Sequence, residues 1–298
     1  MPAFFFRLSC ALALLANVCV NGAHTPIKVI IYSGPGASER GKTNAHTVLN
    51  YKGSGIYAEE MPAAKLVASL NVSEWDAVFF PGGLAGVDGR NIGEAGYDAI
   101  RKFVSQGGGY VGVCAGAYLA LADGLNISKA FMEWTYHGKT SRGDGNCTLK
   151  LGTAGETLFK PYGVTQDAVV AQRFFYANGP TMKFRKGAGK PNDSYRKTLI
   201  TYTSDSVPIE KNYTGPSAGK GLIAVATHRF TESNYFEFHG KKVPDEVRER
   251  NLGGRVLLSG PHPETDQMNF PARNGPPSAP EDVRAKLLQA YVKLAVKP

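Results

Sequence analysis

Three short, almost wholly apolar runs in the first half of the chain each end in a glycine-containing turn. They are Ile27 to Ser33 before Gly34-Pro35-Gly36, Asp76 to Phe80 before Pro81-Gly82-Gly83, and Tyr110 to Val113 running straight into Cys114-Ala115-Gly116. A strand that is apolar along its whole length has no face to offer water, so it must be covered on both sides. Between these runs lie stretches with helical character, at Thr43 to Tyr51, Pro62 to Leu70 and Gly93 to Gln106, and a shorter strand at Gly55 to Glu60. The longest puts Tyr97, Ile100, Phe103 and Val104 on one helical face and stops at Gly107-Gly108-Gly109. Strand, turn and helix repeated at least three times predict an α/β fold, a doubly wound and mostly parallel sheet with right-handed crossovers.

From Gly138 to Gly221 the pattern changes to short β-like runs, Thr148 to Leu151, Val169 to Tyr176 and Thr198 to Thr203, separated by polar loops. These are expected to add antiparallel strands to the same sheet. Buried strands return at Gly221 to Thr227 and Arg255 to Ser259, and a last helix is expected over Pro280 to Val296. The longest structureless stretch is Asn269 to Pro280. A composition of 43% hydrophobic and 20% charged residues excludes a disordered or collagen-like chain. One domain over 24–298 accounts for all of these elements.

Residues 1–23 read differently. Arg7 precedes an apolar run, Leu8 to Val20, followed by Gly22 and Ala23, the pattern of a cleaved secretory signal. Such a run spans about 20 Å as a helix, short of the roughly 30 Å hydrocarbon core. Cleavage would remove Cys10 and Cys19 and leave Cys114 and Cys147 in a compartment where thiols can pair. Five Asn-x-Ser/Thr sequons, at Asn71, Asn126, Asn146, Asn192 and Asn212, fit a secreted glycoprotein. The net charge of +9 is spread over scattered Lys and Arg with no run of five like charges, which reads as solvated surface. No nucleic-acid module is present, and no membrane contact is expected once the signal is removed.

In an α/β sheet, ligands bind beyond the carboxyl ends of the strands, and three such ends carry reactive or permissive residues. Gly112-Val113-Cys114-Ala115-Gly116 is the thiol form of a nucleophile elbow, in which glycines allow a sharp turn that exposes the side chain. A helix starting after Cys114 favours the thiolate, the reactive form of the sulfur. The amide N–H groups of Ala115 and Gly83 are placed to donate to an oxyanion, each such bond being worth roughly 3–4 kcal/mol of barrier. Ser259-Gly260-Pro261-His262-Pro263-Glu264 supplies a base and an acid two positions apart, and in an extended segment these face the same way. Cys114, His262 and Glu264 would then form a complete acyl-transfer set.

These motifs, together with Ile31-Tyr32-Ser33-Gly34-Pro35-Gly36, Val78 to Gly83, Ile100 to Gly116 and Tyr176-Ala177-Asn178-Gly179-Pro180, resemble the N-terminal domain of eukaryotic biotin-protein ligases and its stand-alone relatives. That domain belongs to the class I glutamine amidotransferase-like superfamily. The resemblance runs from about Ile27 to Glu264. It implies a flavodoxin-like sandwich with Cys114 as nucleophile and His262 and Glu264 completing the triad. The biotinyl-adenylate loop of the ligases is absent, so biotin ligase activity is not implied. Where glutamine-using members carry Gln, two residues beyond the second elbow glycine, this chain has Tyr118.

The resulting expectation is a secreted, thiol-dependent amidohydrolase acting on an amide or γ-glutamyl-type bond of a small-molecule or peptide substrate, with no cofactor. The alternative is a catalytically inactive secreted ligand-binding or scaffold protein of the same fold, which a Cys114–Cys147 disulfide would mark. Ser33, Gly34, Asn178 and Tyr118 are expected to line the cleft. No metal is expected, because His137, His228, Glu237 and His239 match no zinc spacing.

Overall fold

The computed structural model describes residues 25–121, 124–128, 132–134, 144–184, 196–203, 207–208, 223–250, 253–267, 274–277 and 279–296. The signal segment, the sequons at Asn192 and Asn212, and His137 lie outside them. The first half alternates strictly: β1 (Ile27–Tyr32), α1 (Glu39–Leu49), β2 (Ile56–Met61), α2 (Ala63–Ser69), β3 (Ala77–Phe80), α3 (Ala85–Ser105), β4 (Gly109–Val113) and α4 (Ala115–Ala120). The middle is built from β5 (Met132–Trp134), β6 (Asp144–Cys147), β7 (Leu149–Leu151), α5 (Thr153–Phe159), α6 (Gln166–Val170), β8 (Phe174–Ala177), β9 (Met182–Phe184), β10 (Lys197–Tyr202) and β11 (Val207–Pro208). β12 (Ile223–Thr231), α7 (Glu232–Phe238), α8 (Asp245–Arg250), β13 (Gly253–Ser259), β14 (Asp266–Gln267), β15 (Asn274–Gly275) and α9 (Val283–Ala295) complete the order.

The main sheet runs β2-β1-β3-β4-β13-β12-β10-β7. Its first five strands are parallel, the doubly wound order in which the winding reverses between β1 and β3. β12, β10 and β7 continue it antiparallel, as the sequence predicts for part of the middle region. The apolar runs are explained by the two cores. Val29 and Ile31 of β1 face α1 and α9, while Ile30 and Tyr32 face α2 and α3, so alternate residues of one strand enter different clusters. Each such side chain, removed from water, contributes about 1.5–3 kcal/mol.

Three elements depart from the sequence reading, and all three bear on the site. α1 begins at Glu39 rather than near Thr43, because Ser38 caps it by accepting from the Gly41 N–H at 3.2 Å. α3 begins at Ala85, eight residues before the expected start, and kinks at Gly93, whose φ is 67°. The Val169 to Tyr176 run is the end of α6 followed by β8, and β8 does not join the main sheet. It pairs with β6 in a separate three-stranded antiparallel sheet, β11-β6-β8. Part of the Asn269 to Pro280 stretch forms β15, paired with β14; residues 268–273 and 278 lie outside the described residues.

Candidate active site

Cys114 stands where β4 turns into α4, with φ 50° and ψ −104°. This left-handed conformation is costly for a residue with a side chain and persists only where the surroundings impose it. They do so by close packing. A Cβ on Gly112 would lie 2.5 Å from the Gly116 carbonyl oxygen, and one on Gly116 would lie 2.2 Å from the Phe80 oxygen. Both glycines are therefore required for the elbow to close. The Cys114 N–H donates to Ser259 O at 2.8 Å, which ties the elbow to the end of β13. The chain leaving β13 carries the other two residues.

His262 donates its backbone N–H to Phe175 O of β8 at 2.8 Å, and its ring lies 5.3 Å from that of Phe175. Its Nδ1 lies 2.7 Å from Glu264 Oε1. Glu264 has no exposure and His262 only 7%. Burial, the largest influence on the imidazole, favours the neutral form, but the Glu264 charge, the Cys114 sulfur and hydrogen bonding to both outweigh it and raise its pKa to about 10. Nε2 is buried and forms no well-aligned hydrogen bond among the described residues, although the sulfur is near enough to favour its protonation. The Cys114 S–H instead donates to Ala177 O of β8 at 3.2 Å. Thus β8, absent from the main sheet, holds the sulfur through Ala177 and the imidazole through Phe175.

A cleft of about 850 Å³ opens over these residues. Gly83 and Ala115 line it, and among the described residues neither N–H is donated to another backbone group. Gly83 has a φ of 148° and packs so closely on Gly36 that a Cβ would lie 2.0 Å from the Gly36 oxygen. Tyr118 and Asn178 line the cleft, and the Tyr118 hydroxyl donates to Asn178 O at 3.0 Å. Ser33 and Gly34 do not line it. The Ser33 N–H is taken by Met61 O, and Gly34 is packed against the Tyr32 ring, so the loop reaches the cleft only further on, at Ser38 and Arg40. Arg40, Leu84, Val87 and Arg90 are lining residues that sequence reasoning missed. The signal available was their position just after the glycine turns that close β1 and β3.

Cys114 and Cys147 are both buried free thiols, Cys147 lying in the apolar core, where burial pushes its thiol pKa up. His228 is fully buried and bonded to Ser128 and Ile127 O, whereas His239 pairs with Asp98 at 2.8 Å. No group of three His, Cys, Asp or Glu that would hold a metal occurs among the described residues. Of the described sequon asparagines Asn71 is exposed, while Asn126 and Asn146 are partly buried with enclosed Oδ1 atoms.

The fold and the position of Cys114 define the class first: a doubly wound α/β protein with a thiol at the carboxyl end of a central strand. Comparison then points to a family. Residues 27–126 match the family model for the biotin-protein ligase N-terminal domain, a match that takes in Gly83 and Cys114 and ends before His262 and Glu264. None of the curated proteins matches the chain in sequence. Similar solved structures include a ThuA-like protein from Bacteroides uniformis, with 14% identity over 92% of this chain and 94% of that one, at a TM-score of 0.47. A glutamine amidotransferase from Thermotoga maritima has 10% identity over 91% and 99% of the two chains, at 0.48. A second glutamine amidotransferase has 15% identity over 90% and 98%, at 0.46. Likeness at this level transfers no activity.

Proposed function

We propose that this chain is a secreted thiol amidohydrolase in which Cys114 is the nucleophile, His262 the base and then the acid, and Glu264 the group that orients the imidazole. The observation that carries the reading is the 2.7 Å contact between His262 Nδ1 and Glu264 Oε1, with the buried Nε2 near enough to the Cys114 sulfur for the sulfur to favour its protonation. Turning the S–H about the Cβ–Sγ bond away from Ala177 O lets Nε2 of the neutral imidazole take its proton, and the imidazolium so formed is the state that the Glu264 carboxylate stabilises. The sulfur then bonds the amide carbonyl carbon, and the C=O electron pair moves to an oxygen that the Gly83 and Ala115 N–H groups receive. When the C–N bond breaks, His262 gives its proton to the leaving amine. Water, deprotonated by the same imidazole, attacks the thioester. The C–S bond breaks, the sulfur recovers its proton, and the products are a carboxylic acid and an amine.

Secretion is supported by the Leu8 to Val20 run and by the sequons. It predicts a mature N-terminus near Gly22 or Ala23 and a mass loss on glycosidase treatment. The chemistry is tested by alkylation. Iodoacetamide at neutral pH should modify Cys114 far faster than an ordinary thiol, and His262→Ala should remove most of that advantage. Equal rates in the two proteins would refute the assignment.

A further inference from the structure

We propose that the Cys114 cleft takes monoamides of dicarboxylic acids, substrates whose acyl part carries a second carboxylate and no α-ammonium group. This rests on the amidohydrolase reading above and names its substrate class. Two arginines on separate elements line the cleft, Arg40 in the first turn of α1 and Arg90 on α3. A Cβ on Gly86 would lie 3.8 Å from Arg90 Nη1, which places that guanidinium over the first turn of α3. There the Ala85 and Gly86 N–H groups also line the cleft and donate to no backbone carbonyl among the described residues. A helix start and a guanidinium side by side form a carboxylate site. Into the same cleft faces His262 Nε2, buried and without a well-aligned partner.

What the lining lacks sets the second half of the proposal. Among the described residues no Asp or Glu lines the cleft. Glu264 is walled behind His262 with no exposure, and Glu94 lines the adjoining hollow of about 530 Å³, which shares Ala85, Gly86, Arg90 and Tyr118 with the cleft but not the sulfur or the imidazole. A carboxylate two or three carbons from the scissile carbonyl meets cationic donors, whereas an ammonium there meets two guanidinium groups and no carboxylate among the described lining residues. Free glutamine and γ-glutamyl groups carry that ammonium and are disfavoured by it. Apolar lip residues Leu84 and Val87 suit the methylene chain between the two carbonyls.

The test is protection of Cys114 from iodoacetamide in the mature protein, read by mass spectrometry, with glutarate, L-glutamate and glutaramide as competitors of equal chain length. Glutarate should protect at concentrations roughly tenfold lower than either of the others, as expected for a charge-assisted contact. The advantage should disappear in the double variant Arg40→Gln/Arg90→Gln and weaken in Arg90→Gln alone. Glutamate or glutaramide matching glutarate, no protection by any of the three, or full protection retained in the folded double variant would each overturn the proposal. The ordering of competitors is readable even at an ordinary alkylation rate. Slow, His262-independent alkylation would therefore sink the amidohydrolase reading separately.

Discussion

Replacing Gly82 by alanine adds one methyl group, removes no functional atom, and tests whether the position of His262 matters. The added Cβ would lie 2.4 Å from His262 Cε1 and 3.2 Å from Nδ1, whereas ordinary contact begins near 3.4 Å. The imidazole must therefore retreat by about 1 Å. Two anchors oppose that retreat, the 2.7 Å contact with Glu264 and the backbone bond to Phe175. Breaking the first costs about 1.5–3 kcal/mol, as for other hydrogen bonds to charged groups, or about 10- to 100-fold in a rate that depends on it. The ceiling for alkylation is set independently. An ordinary thiol is about 3% thiolate at pH 7, so a sulfur whose proton rests fully on an imidazole gains up to about 30-fold. Gly82→Ala should thus slow iodoacetamide modification of Cys114 by roughly tenfold or more at pH 7. The assay follows intact mass against time, with Cys147, 1% exposed, as an internal slow reference. A folded Gly82→Ala protein, matching the wild type in circular dichroism and thermal midpoint, that alkylates at the wild-type rate would refute the link between imidazole position and sulfur reactivity.

Four further outcomes follow from buried ionisable groups. Glu264→Gln keeps the shape of the His262 partner but not its charge, so the imidazole, raised to about 10, should titrate at least about one unit lower by NMR; an unmoved titration would deny the carboxylate its role. Because a raised histidine stabilises the fold below its unfolded pKa and loses that contribution as pH passes the folded value, Glu264→Gln should destabilise more at pH 6 than at pH 10 in denaturant unfolding. His228 runs the other way. Burial lowers its pKa to about 4, so its contribution is present above pH 6.5 and lost as pH falls toward 4, on the order of 3 kcal/mol. Urea unfolding at pH 7 and pH 4.5 should show a steeper loss in the wild type than in His228→Gln, and parallel losses would count against it. Asp88, buried under the Gly36 turn with Oδ1 unpartnered, is raised to about 7 by desolvation. Its contribution is present below pH 3.8 and fades as pH rises through 7, so Asp88→Asn should match the wild type at acid pH. At pH 8.5 the variant should be more stable by roughly 2 kcal/mol after allowance for solvent screening, and an equal thermal midpoint there would refute the assignment.

The elbow was legible because its chemistry is local. Gly112 and Gly116 are needed within four residues of each other for Cys114 to turn, and that spacing is written in the chain. The His262 and Glu264 pair was legible from its spacing, but the structure brings the two side chains together in a turn at Pro263 and Glu264, where the Thr265 N–H donates to His262 O at 3.3 Å, and not in the extended segment the spacing predicts. The first half of α3 was not legible. Gly86 and Gly89 depress helix propensity over Ala85 to Ile92, and what holds those residues helical up to the kink at Gly93 is packing against the sheet, with Ile92 in the core. Arg40 and Arg90, which give the cleft its charge, sit on the two helix starts that sequence reading placed four and eight residues late.

The amino-acid sequence by itself determined the doubly wound core, because strands apolar on both faces and closed by glycine turns can be buried only between two layers of helices. It also determined which thiol, imidazole and carboxylate stand at strand ends. Tertiary structure alone decided that the thiol and the imidazole share one cleft, with the carboxylate behind the imidazole, since β4 and β13 become neighbours only when the sheet is assembled. It alone also sent β8 out of that sheet to hold the sulfur and the imidazole. Periodicity reports which face of an element is apolar; which strand an edge will pair with depends on contacts between residues far apart in the chain, and no local pattern carries them.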